Sequence, residues 1–121
     1  MIVVGLMSGT SADGIDAAVV NIEGAPPRLQ VRLLAFRTTP WPPDMRQRIL
    51  EACQPGRAGA DELCRLHFDL GEGFARAALE AIADSGLPPD QVDLISSHGQ
   101  TIWHDVDERG HVRGTLQLGE G

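Results

Sequence analysis

Several residue types are absent or scarce in this 121-residue chain. Lysine and tyrosine do not occur, so all ten basic residues are arginines, and Cys53 and Cys64 are the only cysteines. A P-loop needs a lysine ammonium beside its phosphates, so the lack of lysine excludes a Walker-type nucleotide site. The two cysteines lack the spacing of zinc or redox motifs, and we expect both to be buried thiols.

Long apolar runs and clustered basic residues are also missing. No run approaches the roughly 18 apolar residues of a membrane span, and the N-terminus lacks the pattern of a secretion signal. The formal net charge is -7, whereas a nucleic-acid interface needs clustered cations. We therefore expect one soluble, cytoplasmic domain over residues 1–121 that binds neither membranes nor nucleic acid.

Apolar periodicity predicts an α/β chain with a mixed sheet. The predicted order is β-β-β-α-α-β plus a following hairpin: strands Ile2–Met7, Ile15–Ile22 and Leu29–Thr38, helices Pro43–Cys53 and Asp61–Ser85, strand Val92–Ser97, and hairpin strands 101–106 and 112–118. A right-handed crossover through the helices would make the fourth strand parallel to a central strand. The third strand is apolar on both faces in its second half, as expected beneath a helical cover. Gly71 and Gly73 inside the second helix indicate either close packing against a neighbour or a kink.

The loop between the first two strands is the most informative segment. Residues 8–14 combine glycines, three hydroxyls and one carboxylate, although a two-residue Asp-Gly turn could reverse the chain. The pattern also lacks the glycine-flanked serine of a nucleophile elbow. One interpretation is a phosphate clamp, in which the amides of residues 9–13 and the hydroxyls of Ser8, Thr10 and Ser11 donate to phosphate oxygens. In that case Asp13 or Asp16 could hold Mg²⁺, directly or through water. The other interpretation is a long polar turn.

A second polar cluster follows the predicted fourth strand, at residues 96–101. Ligands of open α/β sheets bind at the carboxyl ends of strands, and Gly99 would let the backbone approach a small molecule. Gln100 and Thr101 could hydrogen-bond hydroxyls or an amide. His98 and His104 are six residues apart, which does not suit a metal site. On these residues alone, a structural histidine in a tight turn is the favoured interpretation.

Three segments together resemble the anhydro-N-acetylmuramic acid kinases. These are Gly5–Asp16, with its specific S-G-T-S-x-D-G-x-D string, Ser97–His104, and Gly114–Gly119, in that order along the whole chain. The resemblance implies an ATP-dependent reaction in which water opens the 1,6-anhydro ring of anhydro-N-acetylmuramic acid and O6 is phosphorylated. The product would be N-acetylmuramic acid 6-phosphate, in cell-wall recycling. The implied fold is an actin-like ATPase (ribonuclease H-like) lobe, here incomplete.

The resemblance also implies roles for individual residues. The nucleotide-phosphate loop would comprise Gly9, Thr10, Ser11, Ala12, Asp13, Gly14, Ile15 and Asp16, and the sugar side would comprise His98, Gly99, Gln100 and Thr101. Asp13 and Asp16 remain the candidate Mg²⁺ ligands, directly or through water, on the residue chemistry given above. The general base, the second lobe and the adenine pocket are expected beyond Gly121. We therefore expect no catalytic residue in this chain and no activity from it alone.

Two other function classes compete with the kinase interpretation. A non-catalytic nucleotide- or sugar-binding module would use the same loop without the missing base. A ribonuclease H-like nuclease would share the strand order, but its metals need carboxylates on the central strands, and Ile2–Met7 carries none. An unfinished sheet edge would also favour self-association, for example as a homodimer.

Overall fold

The five strands form one sheet, and both helices pack on the same face of it. The computed structural model describes residues 1–119. In chain order the elements are β1 (Ile2–Ser8), β2 (Gly14–Ala25), β3 (Arg28–Pro40), α1 (Pro43–Ala52), α2 (Ala60–Ser85), a single 3₁₀ turn (Pro89–Gln91), β4 (Leu94–Val106) and β5 (Val112–Leu118). The strands lie side by side in the order β3-β2-β1-β4-β5.

The sheet is mixed, as predicted. β1 pairs antiparallel with β2, and β2 pairs antiparallel with β3. The chain then crosses the sheet through α1 and α2 and returns as β4, which pairs parallel with β1 and antiparallel with β5. The predicted parallel crossover is therefore confirmed, and it brings the polar segment of β4 beside the end of β1.

The predicted break between a fourth and a fifth strand is wrong. β4 continues through residues 98–101 because its first half pairs with β1 and its second half with β5. Between the pairs Leu6–Ser97 and Ser8–Gln100 the register shifts, so that His98 and Gly99 oppose Met7 alone. This arrangement is a β-bulge, and Gly99 takes the left-handed conformation there, with φ of 71°. A glycine at a bulge and a glycine in a turn look alike in sequence, which explains the error.

The hydrophobic core lies between the sheet and α2. Alternate residues of β1 and β2 face the helix, and α2 presents a stripe at helical spacing. The buried residues of these elements include Val4, Leu6, Ile15, Ala17, Val19, Leu66, Leu70, Phe74 and Ile82. At Gly73 the first of the two alternatives, close packing against a neighbour, is the one observed, because a Cβ there would lie 2.5 Å from the Trp41 ring.

The opposite face of the sheet has no cover among the described residues. Leu29, Val31, Leu33 and Phe36 of β3 are between 49% and 61% exposed, whereas Leu34 and Ala35 pack against the core. The predicted helical cover therefore reaches only one face of this strand. The cross-strand partners of the exposed residues include Ala18 and Val20, which alternate with the core residues of β2. These four exposed apolar side chains of β3 therefore lie on the sheet face opposite the helices.

The structure tests the prediction made for the two cysteines. Cys64 is exposed and Cys53 is only half-buried, so the prediction of two buried thiols is wrong. Within residues 1–119, neither helix combines the length and the hydropathy that crossing a lipid bilayer requires.

Candidate functional site

The polar loop predicted from sequence is the connection between β1 and β2, and it is anchored at its centre. Residues 9–13 lie outside the two strands. Thr10, Ser11 and Asp13 are exposed, whereas Ala12 is fully buried with φ of 52°. The Ala12 N–H donates to the carbonyl of Gly9 at 3.1 Å. The loop therefore fixes one apolar residue in the core and presents its polar side chains outward.

The exposed part of the loop has unused hydrogen-bonding groups. In the described residues, the hydroxyls of Thr10 and Ser11 make no hydrogen bond to protein groups. At Gly9 an added Cβ would meet only the Ser11 oxygen, at 4.0 Å, and no positive φ requires glycine. Internal packing thus gives no reason for glycine at this position, and the space above it is open to a ligand.

Protein donors hold the carbonyl groups of the loop. The Gly9 carbonyl accepts from the Gln100 side chain at 3.0 Å, and the Asp13 carbonyl accepts from the Trp41 backbone N–H at 3.1 Å. Because the C=O and N–H of one trans peptide point in opposite directions, the N–H of Thr10 points away from Gln100. Among the described residues this N–H donates no hydrogen bond, so an anion could accept from it.

Two carboxylates flank the loop, and both keep free oxygens. The side chain of Asp13 is 73% exposed and lies 3.4 Å from an Arg46 nitrogen. On β2, Asp16 accepts from the Thr38 hydroxyl at 2.6 Å. In the part of the chain that the structure describes, no three or more His, Cys, Asp or Glu residues group as a metal site would require. A pair of carboxylates still suits Mg²⁺, which commonly takes its other ligands from waters and phosphate oxygens.

An open groove runs along the helix-free face of the sheet beside the loop. Its volume is about 510 Å³, and it is lined by Gly5, Leu6, Met7, Asp16, Ala18, Phe36, Ser96, Ser97 and His98. The small residues Gly5, Ala18 and Ser96 lie side by side on neighbouring strands, and their short side chains leave the space that forms the groove. The groove brings His98 and Asp16, which belong to different predicted segments, to one surface.

The structure divides the predicted sugar-side segment. His98 is exposed, whereas Gly99, Gln100 and Thr101 are buried. The Gln100 amide is fully used within the protein: its oxygen accepts from the Ser8 hydroxyl at 2.5 Å, and its nitrogen donates to the carbonyls of Gly9 and Thr101. In this arrangement only His98 of the four residues offers its side chain to a ligand.

Three residues of the predicted phosphate loop also face inward. Ser8 is 1% exposed because, as the last residue of β1, it shares the helix-facing side with Val4 and Leu6. Its hydroxyl oxygen accepts from the Trp41 indole at 3.0 Å, and its single proton is directed to the Gln100 oxygen or the Gly14 carbonyl. This hydroxyl therefore has no proton free for a phosphate. Ile15 and Ala12 are buried as well, and only their backbone groups are available to a nucleotide.

Sequence reasoning missed Trp41 and Arg46. Trp41 follows β3 and contacts the loop through both its indole and its backbone N–H. Arg46, on α1, lies beside Asp13 and 3.5 Å from the Ser11 carbonyl. Prolines precede and follow the tryptophan, and this is the one feature of the local sequence that indicates a restricted, non-helical backbone at Trp41. The arginine gives no signal without the fold.

Cys53 lies under the same segment of β4 without taking part in the site. Its sulfur is 4.0 Å from the Thr101 carbonyl. Burial raises the pKa of the Cys53 thiol, which keeps it protonated and therefore a poor nucleophile near neutral pH.

Comparison with known proteins supplies a family. The sequence model described as "Anhydro-N-acetylmuramic acid kinase" matches residues 1–121. The proteins of that name from Caldanaerobacter subterraneus subsp. tengcongensis and from a Bacillus cereus strain are 46% and 42% identical to this chain, over 98% and 99% of its length. A Bacillus thuringiensis protein of the same name is also 42% identical over 99%. The chain spans about a third of the length of these relatives, 31% to 32%.

A solved structure was also found, at a much lower level of similarity. The RuvC structure from Thermus thermophilus is 16% identical to this chain, with a TM-score of 0.33, covering 82% of this chain and 64% of the other. A similarity of that size does not assign the fold. The family model, which matches all of residues 1–121, does assign the family, and the chain belongs to the anhydro-N-acetylmuramic acid kinases.

Proposed function

We propose that the protein containing this chain is a kinase that uses ATP to convert anhydro-N-acetylmuramic acid into N-acetylmuramic acid 6-phosphate. In this reaction water attacks C1 and the bond between C1 and O6 breaks. The freed O6 then takes the γ-phosphoryl group, and ADP leaves. The family assignment supports the activity, and the β1–β2 loop supports the part that this chain would play.

One observation carries the role of the loop. Its carbonyls at Gly9 and Asp13 are held by protein donors, while the hydroxyls of Thr10 and Ser11 are exposed and unbonded in the described structure. Fixed donors aimed at a phosphate need no reorganisation when charge develops on it, which is the main source of catalysis in phosphoryl transfer. We infer that this loop binds the nucleotide phosphates through backbone N–H groups and these two hydroxyls.

We assign the metal role to the two carboxylates that flank the loop and the sugar role to His98 in the open groove. Asp13 and Asp16 have free carboxylate oxygens and would hold Mg²⁺. When bound, the metal would neutralise part of the phosphate charge. His98 lines the groove beside Asp16 and is the side chain of the 98–101 segment that can meet a sugar hydroxyl. The general base remains assigned outside residues 1–121.

We also propose that the sheet is part of an actin-like, ribonuclease H-like lobe. The order of the elements supports this proposal: three antiparallel strands are followed by a helical crossover and by a strand parallel to β1. The exposed apolar residues of β3 support an incomplete lobe and leave a surface on which a homodimer could form. A cytoplasmic location and a role in cell-wall recycling follow from the proposed substrate.

A product assay on the full-length protein tests the activity and the loop together. Wild-type protein with Mg-ATP and anhydro-N-acetylmuramic acid should yield N-acetylmuramic acid 6-phosphate and ADP, detected by mass spectrometry. The variant T10A/S11A should lose most of its turnover and keep its fold, because neither hydroxyl supports the structure. The matched control E108A/R109A changes two exposed residues at the tip of the β4–β5 hairpin and should be fully active.

The same assay separates the kinase from its competitors. Nucleotide or sugar binding without any product would favour a non-catalytic binding module. Normal turnover by T10A/S11A would reject the loop assignment while leaving the kinase activity in place.

A further inference from the structure

Gln100 is a polar residue in an unusual place, the centre of the sheet. It pairs with Ser8 of β1 on one side and Leu118 of β5 on the other, and its side chain is fully buried. A buried amide is costly unless all its groups find partners. Each polar atom of Gln100 has one, and one of these partners, the carbonyl of Gly9, belongs to the loop.

The direction of these hydrogen bonds is fixed by their chemistry. The carbonyls of Gly9 and Thr101 can only accept, so the Gln100 nitrogen must face them and its oxygen must face Ser8. The indole of Trp41 can only donate, so Ser8 accepts from it, at 3.0 Å. The single hydroxyl proton of Ser8 then serves Gln100 or the carbonyl of Gly14, at 2.5 and 2.8 Å.

The result is a directed chain from Trp41 through Ser8 and Gln100 to the Gly9 carbonyl. Trp41 also holds the other end of the loop, because its backbone N–H donates to the Asp13 carbonyl. The indole itself is fixed by α2: Phe74 meets it edge-on at 5.7 Å, and Gly73 leaves room for the ring. Both ends of the loop are thus tied to one buried support.

We propose that Gln100 is a positioning residue for the phosphate loop, acting through its hydrogen bond to the Gly9 carbonyl. This inference rests on the proposed nucleotide role of the loop. Holding the carbonyl fixes the plane of the Gly9–Thr10 peptide, and therefore the direction of the Thr10 N–H. A loop so held binds phosphate without first losing conformational freedom. Gln100 itself touches neither the nucleotide nor the sugar.

The test compares Gln100→Met with a control of similar stability in the full-length protein. Methionine keeps the length and volume of the side chain but cannot donate to Gly9. The control, Ile82→Val, removes one methylene from the buried C-terminal part of α2, far from the loop in sequence and without a hydrogen bond to it. The readouts are the Kd for Mg-ADP by calorimetry, the separate KM values for ATP and for the sugar, and the denaturation midpoint.

We expect Gln100→Met to raise the Kd for Mg-ADP and the KM for ATP about tenfold, as the loss of one well-placed hydrogen bond would. The KM for the sugar should stay within about twofold, which is under 0.5 kcal/mol. Ile82→Val should leave all three constants at their wild-type values. Trp41→Phe keeps an aromatic side chain, although a smaller one, and removes the indole N–H donor, so it should shift the nucleotide constants in the same direction. Trp41→Phe carries the test if Gln100→Met fails to fold.

Three outcomes would overturn the inference. The first is that Gln100→Met keeps the wild-type Kd for Mg-ADP and KM for ATP. The second is that Ile82→Val changes these constants as much as Gln100→Met does when the two variants are equally stable. The third is that only the KM for the sugar rises in Gln100→Met, which would place Gln100 at the sugar. These results are distinct from a failure of the proposed function, in which the wild-type protein itself forms no phosphorylated product. A wild-type protein that binds no nucleotide would remove both proposals.

Discussion

The exposed loop and the buried support beneath it are built from the same kinds of residue and differ in what they can contact. Thr10 and Ser11 are exposed with unbonded hydroxyls, whereas Ser8 and Gln100 are at most 1% exposed and fully hydrogen-bonded within the protein. Residue type alone predicted that all four bind a ligand, with Ser8, Thr10 and Ser11 at the phosphates and Gln100 at the sugar. Burial separates groups that can meet a ligand from groups that hold the loop in place.

The largest effect on stability is expected at Gly99, the residue before Gln100. Gly99 has φ of 71°, and a Cβ there would lie 2.6 Å from the Leu118 carbonyl. We expect Gly99→Ala to lower the free energy of unfolding by about 1–3 kcal/mol, the usual strain energy at such a position. Activity should fall with it, because Gln100 is the next residue. Urea denaturation measures the change, and an unaltered midpoint would show that the bulge does not need glycine.

Removing the hydroxyl of Ser8 should give the next largest effect. Ser8→Ala leaves the Trp41 indole and the Gln100 oxygen without this partner in the core. We expect a loss of about 1–3 kcal/mol of unfolding free energy. Ser96→Ala, an exposed serine on β4, is the control and should unfold at the wild-type midpoint. Equal midpoints for the two variants would mean that the buried network contributes little to stability.

Gly9→Ala should reverse the pattern seen at Gly99. Space is open around Gly9 and its φ is compatible with alanine, so the fold should lose nothing and could gain about 0.4–1 kcal/mol from a stiffer unfolded chain. The added methyl group would occupy space assigned to the nucleotide, and we expect ATP affinity to fall. Calorimetry with Mg-ADP, alongside denaturation, checks both halves. Unchanged affinity would argue against phosphate above Gly9.

Asp13→Asn should have the smallest effect on stability. The ion pair with Arg46 is exposed and 3.4 Å long, and such pairs contribute about 0–1 kcal/mol. If Asp13 holds Mg²⁺, the variant will need more magnesium for half-maximal turnover, whereas Asp90→Asn, an exposed residue of the 3₁₀ turn, will not. Identical magnesium titrations would remove Asp13 from the metal site.

Much of the fold follows from local pattern. Apolar periodicity predicts the two helices and most of the strands, and the crossover rule predicts the parallel pairing of β4. The sequence misled at Gly99, where a bulge resembles a turn, and at β3, whose second apolar face is uncovered in the described residues.

The candidate site was predictable only in part. The loop stood out because its small polar residues exceed what a turn needs. The roles of Ser8 and Gln100 depend on which side of the sheet they face and on a neighbour 92 residues away. Contacts of that range are set by tertiary packing, as is the position of Arg46 beside Asp13. No local signal distinguishes a buried amide that holds a loop from an exposed one that binds a sugar.

Hydrogen–deuterium exchange of the full-length protein, with and without a non-hydrolysable Mg-ATP analogue, tests the central claim most directly. If the loop binds the nucleotide phosphates, peptides that contain residues 9–14 will exchange more slowly in the complex, while the hairpin tip at residues 107–111 will not change. Gly9→Ala should weaken this protection at a fixed analogue concentration. Saturating nucleotide binding with no change in exchange at residues 9–14 would contradict the account.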